Sequence, residues 1–182
     1  MRRARTALLI LALTATGTST LLAQSSPPDF LVEFGEHFDT SAEKVVALAR
    51  AMPEESYPWS PMEGVRSVSD VFALIIAECH VFPAAWGHEP PAGAASGFGP
   101  ELLRASALTR TEIVRELDSA FDHLIGIVRG MDEAERMADS DYFGRPMKIH
   151  ANILISMGDM HEHLGQLIAY ARTNEVVPPW SR

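Results

Sequence analysis

The residues best suited to chemistry lie on a predicted helix that spans about 148–174. At 100° per residue, residues at alternating steps of four and three fall on one narrow face of such a helix. The polar residues on this face form a seam that comprises Asn152, Ser156, Asp159, His163, Gln166 and Tyr170. Within the polar seam, Asp159 and His163 stand one turn apart and offer a carboxylate and an imidazole, which are both ligands of divalent metals.

Two interpretations of the polar seam are open from the sequence. It can be a solvated helix face, on which Asp159 and His163 form an ordinary i, i+4 pair worth about 0.2–0.5 kcal/mol. It can instead line a polar cleft inside a helical bundle, where both side chains are available to a metal. His161 cannot join them, because it lies about 160° around the helix from His163. We therefore expect His161 on the surface.

Four periodic apolar stretches predict the helices that must position this seam. They span about 29–52, 67–82, 109–130 and 148–174. Ser67 with Asp70, and Thr109 with Glu112, are typical of capping boxes at helix N-termini. No stretch has a convincing strand pattern. The pattern therefore predicts an all-α fold, an antiparallel four-helix bundle.

The loops and the core follow from the same periodicity. Segments 88–100 and 131–146 are predicted loops, the first rich in Gly, Ala and Pro and the second acidic. We expect Phe34, Phe121 and Leu164 in the core, because each lies on the apolar stripe of its helix.

The N-terminus is predicted to be a signal peptide spanning 1–23, followed by a single domain over 24–182. Three arginines precede an apolar run that is short for a membrane span, and Ala23 is a plausible cleavage point. We expect export to the periplasm or the extracellular space, and a retained N-terminal anchor is the alternative. Cleavage removes three arginines and takes the net charge from −9 to −12. Such an acidic chain is unsuited to nucleic acids or anionic lipids.

Several motifs resemble the DinB-like family, which is named after damage-inducible protein B and includes YfiT-like putative metalloenzymes. Asp159-Met160-His161-Glu162-His163-Leu164-Gly165-Gln166 resembles the family's last helix. Segment 64–68 is similar to the start of its second helix, and 176–180 to the tail that follows its last. The resemblance covers most of the chain, from about 29 to 180.

The resemblance implies a four-helix bundle with a divalent metal, often nickel, zinc or iron. The family takes one ligand histidine from helix two and two histidines, four residues apart, from the last helix. His163 matches the second of these, Asp159 stands at the first, and Leu74 stands at the helix-two position. Because leucine cannot ligate a metal, only one of the three histidines is kept.

Glu78 lies one turn beyond Leu74, about 40° around the helix, and can replace the missing ligand. The predicted metal ligands are therefore His163, Asp159 and Glu78, a set that favours Mn²⁺ or Fe²⁺, with Ni²⁺ or Zn²⁺ also considered. No metal at all is the alternative. His80 points about 120° away from Leu74 and is a poor substitute. His37, His88, His123 and His150 match no family motif and are expected at the surface or in loops. Cys79 is expected to be a small buried hydrophobe.

Two functions are compatible with these residues. One is an exported metal-dependent hydrolase or transferase of unknown substrate, whose catalytic residues the sequence does not identify. The other is a non-catalytic bundle that has lost the metal and binds a small molecule or a partner, and a homodimer is also compatible. Some family members resemble transferases or isomerases that use mycothiol or bacillithiol, but export argues against a cytoplasmic thiol cosubstrate. The cluster of Glu78, Asp159 and His163 favours the first function, and Leu74 favours the second.

Overall fold

The computed structural model describes residues 30–181, so the predicted signal peptide and its cleavage site lie outside the described residues. The described part contains six helices, one two-stranded sheet and two short 3₁₀ turns. In chain order, the elements are α1 (Phe30–Ala51), a 3₁₀ turn (Glu54–Ser56), α2 (Val68–Ala85), α3 (Phe98–Ser106), α4 (Arg110–Gly130), α5 (Glu133–Arg136), β1 (Asp139–Tyr142), β2 (Arg145–Lys148), α6 (Ile149–Thr173) and a 3₁₀ turn (Pro179–Ser181).

The four long helices α1, α2, α4 and α6 form the predicted bundle, in which α1 and α2 each pack against both α4 and α6. Arg110, at the start of α4, donates hydrogen bonds to backbone carbonyls at the end of α1. Arg129, near the end of α4, pairs with Asp39 in the first half of α1, so α1 and α4 are antiparallel. Tyr170, near the end of α6, donates to the carbonyl of Arg66, just before α2, so α2 and α6 are antiparallel as well.

The core lies between these helices, and its expected members are confirmed. Phe34, Phe121 and Leu164 are 3%, 2% and 7% exposed. Helix α2 is apolar nearly all round, with a mean hydropathy of 1.6, and could cross a membrane by length and composition alone. In this structure most of it is buried against the other helices, as in the central helix of a bundle. Both predicted capping boxes are present, at Ser67 with Asp70 and at Thr109 with Glu112.

Three local predictions were wrong. Helix α2 continues through Pro83 to Ala85, because a proline in the last turn removes only one helical hydrogen bond. The predicted loop 88–100 ends in helix α3, which begins at Phe98. The predicted loop 131–146 contains α5 and most of an antiparallel hairpin in which Tyr142 pairs with Arg145. That pairing leaves a two-residue turn, in which Phe143 and Gly144 both have positive φ, of 50° and 83°.

Candidate functional site

The polar seam of α6 is a partly buried cleft rather than a solvated face. Asn152, Ser156 and Tyr170 are 0%, 4% and 6% exposed. Asp159 and His163 are half-buried between them. The seam faces α2 and the hairpin, since its side chains contact residues of both. Of the two interpretations of the seam, the structure therefore favours the polar cleft.

Glu78 on α2 meets His163 on α6, as expected from their positions. The Nε2 atom of His163 lies 3.1 Å from Oε2 of Glu78 and 3.2 Å from its Oε1. Both side chains are mostly buried, at 14% exposure for His163 and 12% for Glu78. This pair joins the two antiparallel helices through the middle of the cleft.

Asp159 is held by Tyr142, a residue of strand β1 that the sequence analysis had placed in a loop. The Tyr142 hydroxyl donates a hydrogen bond of 3.0 Å to Oδ2 of Asp159. The pKa of Tyr142 is raised to about 12, first by burial and then by the hydrogen bond and charge of Asp159 and the charge of Glu78. Tyr142 is therefore a protonated donor at neutral pH. We call Glu78, Tyr142, Asp159 and His163 the open cluster.

The three predicted metal ligands are only partly gathered. Glu78 and His163 are in contact, whereas Asp159 is bonded to Tyr142 instead. Their ligand atoms do not all lie within 4.8 Å of one another, a spacing that only His80, Glu101 and Glu116 meet among residues 30–181. Leu74, at the family's histidine position, is 4% exposed and packed in the core.

His80, Glu101 and Glu116 form a second polar group together with Arg104, and sequence analysis missed it. His80 Nδ1 lies 2.8 Å from Oε1 of Glu101. The guanidinium of Arg104 donates to both oxygens of Glu101, at 2.6 and 2.9 Å, and also to Glu116. The backbone N–H of Ala95 donates to Glu101 as well, at 2.6 Å. We call His80, Glu101, Arg104 and Glu116 the closed cluster.

The spacing of the closed cluster could hold a metal ion, but Arg104 already supplies its positive charge. Glu101 is fully buried. Burial alone would raise the pKa of Glu101, yet hydrogen bonds from Arg104, Ala95 and His80 outweigh it and hold the pKa below its ordinary value of 4.5. Because a cation must displace Arg104 to bind there, this group is better explained as the contact that fastens α3 to α2 and α4.

In the open cluster, only Glu78 and His163 lie at the spacing of metal ligands, and Asp159 lies outside it. The cluster's donor set of two carboxylates and one imidazole suits a hard or borderline cation. Two donors that bind one ion at right angles, each at about 2.1 Å, lie about 3.0 Å apart. The separation of 3.1 Å between His163 and Glu78 matches that spacing. Asp159 uses Oδ2 for Tyr142, and its carboxylate would have to move toward Glu78 and His163 to share an ion with them.

A cavity of about 290 Å³ adjoins the open cluster. Tyr142 belongs to both, since it lines the cavity and its hydroxyl contacts Asp159. The other three residues of the open cluster do not line the cavity, and neither does any residue of the closed cluster.

The remaining predicted residues have varied surroundings. His161 is exposed, as expected, with its Nε2 3.2 Å from the Ser41 hydroxyl, and His37 is exposed too. Cys79 is 1% exposed, and burial raises its pKa, as expected of a buried hydrophobe. His88 lies in the loop after α2, as expected, and is half-buried against Glu135. His123 and His150 lie on helices and are half-buried, and each buries one ring nitrogen.

Comparisons with solved structures identify the fold. A DinB-like protein from Bacillus cereus matches with a TM-score of 0.66 at 15% identity, covering 80% of this chain and 93% of that one. A DinB-like protein from Bacillus subtilis matches with a TM-score of 0.62 at 20% identity, with the same coverage. A mycothiol-dependent maleylpyruvate isomerase matches at 0.59 and 16% identity, where 75% of this chain spans 60% of that one.

No protein-family model and no curated protein matches the sequence. The structural matches all lie below 25% identity, so what they share with this chain is the fold. The resemblance carried by 159–166 and its neighbouring motifs agrees with them. The chain has the helical-bundle fold of the DinB-like proteins.

Proposed function

We propose that the chain is a metal-dependent enzyme of DinB type, a hydrolase or transferase that acts on a small molecule, with its divalent ion held by Glu78, Asp159 and His163. The observation that carries the proposal is the contact between Glu78 and His163. It places a carboxylate and an imidazole from two helices at the spacing of neighbouring metal ligands, largely shielded from water. A cavity of about 290 Å³ is lined by Tyr142, which bonds Asp159, and by none of the three proposed ligands.

Each group of the open cluster has a distinct part in this function. A bound divalent ion would act as a Lewis acid and lower the pKa of a coordinated water. Tyr142 keeps its proton at neutral pH, since its pKa is raised to about 12, and donates a hydrogen bond to Asp159, so its hydroxyl oxygen remains as an acceptor for a ligand. Asp159 orients that hydroxyl through Oδ2.

Export is part of the proposal and limits the cosubstrate. One structural match is a mycothiol-dependent isomerase. Low-molecular-weight thiols of that kind are cytoplasmic, so a protein released into the periplasm or the medium would not meet them. We therefore favour a reaction that needs no thiol cosubstrate.

The alternative function is a non-catalytic bundle that binds a small molecule without a metal. Leu74 supports it, because the family's histidine position on helix two is occupied by a buried apolar side chain. In that case the contact between Glu78 and His163 is an ion pair that fastens α2 to α6.

Thermal unfolding of the untagged protein separates the two functions. With free Mn²⁺, Fe²⁺, Ni²⁺ or Zn²⁺ at 100 times its dissociation constant, binding adds about 2.7 kcal/mol, which raises Tm by roughly 5–10 °C. His163→Ala should remove most of that rise, and the exposed matched control His161→Ala should keep it. If none of the four ions moves the Tm of the wild type, the metal-dependent function is wrong and the alternative leads. If His163→Ala keeps the rise and Glu116→Gln loses it, the ion binds at the closed cluster instead.

A further inference from the structure

The cavity beside the open cluster has an aromatic wall and a polar end. It lies between the end of α2, the start of α3, the hairpin and the first turn of α6. Its lining consists of Val81, Phe82, Ala85, Phe98, Asp141, Tyr142, Phe143 and Asn152. Four of these eight residues are aromatic, and their rings lie close together: Phe82 is 5.8 Å from Tyr142 and Phe98 is 5.3 Å from Phe143. Such a wall suits a flat ring.

Asn152, at the polar end of the cavity, has an unpaired oxygen. The residue is 0% exposed, and its Nδ2 donates a hydrogen bond of 3.2 Å to the Ser140 hydroxyl. Its Oδ1 is buried and has no hydrogen-bond partner among the described residues. Turning the amide over would satisfy Oδ1 with Ser140 but leave the two N–H donors without an acceptor. In either orientation, a buried polar group of Asn152 is left unpaired next to the cavity. Four other buried side-chain atoms among residues 30–181 also have no partner, but only Asn152 lines this cavity, where a ligand could satisfy it.

Phe143 forms the exposed rim of the cavity. It is the first residue of the hairpin turn and has a φ of +50°, a conformation that disfavours bulky side chains and is usually taken by Asn or Gly. Its ring is 61% exposed, so the strain is not offset by burial in the core. The ring instead stands at the rim of the cavity, 5.3 Å from Phe98 and 4.9 Å from Tyr142. Its exposed ring is therefore placed where a ligand in the cavity would contact it.

The charge around the cavity restricts the ligand further. Asp141 lines the cavity, and Glu78 and Asp159 lie beside Tyr142. The whole chain carries a net charge of −9. An anionic ligand would be repelled by these carboxylates, whereas an uncharged or cationic ligand would not. A volume of about 290 Å³ lies at the small end of ligand sites, which start at about 300 Å³, so one ring fits better than two.

We propose that this cavity binds a single-ring planar molecule, uncharged or cationic, that donates an N–H or O–H hydrogen bond to Asn152. Its ring lies against Phe82, Phe98 and Phe143, and its edge reaches Tyr142 at the open cluster. That this molecule is the substrate rests on the proposed function, but its binding does not require the metal. The proposal thus names the substrate class for the same site.

Phenol and anisole are matched probes for the hydrogen bond, because they differ by a methyl group that removes the O–H donor. We expect phenol to bind the full-length protein about tenfold or more tightly than anisole, since a site with a buried acceptor discriminates against a ligand that cannot donate. Titrations followed by NMR should shift the side-chain amide of Asn152. Equal affinities for the two probes, or shifts confined to other parts of the protein, would overturn the proposal.

Two variants sharpen the test. Asn152→Leu should bring the ratio of phenol to anisole affinity close to one, and circular dichroism checks that the variant is folded. Phe143→Asn suits the turn better and keeps the protein folded, so it also serves if Asn152→Leu does not fold. It should weaken both probes by a similar factor, because it removes a ring contact and leaves the acceptor. If Phe143→Asn leaves both affinities unchanged, the cavity is not the binding site.

Repeating the titrations with EDTA and in His163→Ala separates this proposal from the metal-dependent function. Selective binding of phenol that survives both treatments supports the cavity proposal, even where no metal raises the Tm. A metal-induced rise in Tm together with equal affinities for phenol and anisole would keep the metal function and overturn the cavity proposal.

Discussion

The two polar clusters lie on opposite faces of α2, and they differ in how completely their groups are paired. Glu78 and His80 are two residues apart and point about 160° away from each other around the helix. Glu78 belongs to the open cluster, against α6 and the hairpin, and His80 to the closed cluster, against α3 and α4. Both clusters combine a histidine with two carboxylates.

The two clusters differ in whether an arginine side chain pairs with their carboxylates. In the closed cluster, Arg104 lies between the two carboxylates, and Glu101 accepts four hydrogen bonds. In the open cluster, Glu78 pairs with His163 and Asp159 with Tyr142, while the nearby Arg145 acts on Tyr142 only through its charge. A fully paired buried cluster stabilises the fold, whereas one short of positive charge and next to a cavity favours ligand or cation binding. Burial of titratable groups alone therefore does not identify a functional site.

The largest expected effect is on the free energy of unfolding when one carboxylate charge is removed from each cluster. Glu101→Gln should lower the free energy of unfolding by about 3–5 kcal/mol, because it breaks a buried network and leaves Arg104 undercompensated. Glu78→Gln should cost at most about 1 kcal/mol, since its amide can still bond His163. Denaturant unfolding monitored by circular dichroism measures both. Equal losses in the two variants would mean that the clusters do not differ in the way described.

Acid should affect the closed cluster through the same carboxylate. The pKa of Glu101 is lower in the folded protein than its ordinary value of 4.5, because the donors around it outweigh burial. Its contribution to stability is therefore fully present above pH 4.5 and is lost as the pH falls through the folded-state pKa. The difference in unfolding free energy between wild type and Glu101→Gln should shrink in acid.

His123 provides a check on this pH dependence. Burial, together with the charges of His80 and His88, lowers the pKa of His123 below 6.5, so protonation also destabilises the fold as the pH falls below 6.5. The part of that loss that comes from burial, which is the largest cause, should occur in the wild type and in Glu101→Gln alike and cancel in their difference. A difference that stays constant from pH 7 to acid would show that Glu101 does not stabilise the fold as a charged group.

The long helices were predictable because their signals are local. Helix α4 was predicted at 109–130 and lies at Arg110–Gly130, since the capping box of Thr109 and Glu112 marks its start. Helix α3 has only nine residues, and its stabilising contacts include His80, which lies 21 residues before Glu101 in the sequence. The hairpin depends on a Phe-Gly turn in place of the usual Asn-Gly. Neither element has enough periodic residues to be read from the sequence alone.

The same contrast holds for the site. Glu78 and His163 both lie on long helices, where angular position follows from residue number, so their contact could be expected. The contact of Tyr142 with Asp159 could not be expected from the sequence, because Tyr142 reaches Asp159 only once the hairpin is formed. The closed cluster could not be predicted either, since Glu101 reaches His80 only through the position of α3.

The smallest predicted effect tests the contact that completes the open cluster. The pKa of Tyr142 is raised to about 12, mainly by burial and next by the hydrogen bond and charge of Asp159. Asp159→Asn removes the charged acceptor and leaves the burial, so the pKa should fall but stay above the ordinary value of 10. Tyr57, whose pKa burial also raises to about 12, lies in another part of the fold and should not move. Ultraviolet absorbance of the phenolates follows both titrations, and Tyr142→Phe assigns them.

Because the folded protein holds the Tyr142 proton more tightly than the unfolded chain, the stability from this group is present below pH 10 and is lost as the pH rises through about 12. In Asp159→Asn this stability should be lost at a lower pH, because the folded-state pKa of Tyr142 is lower. An unchanged titration of Tyr142 in Asp159→Asn would show that the two residues are not coupled and would leave Glu78 and His163 as the whole of the open cluster.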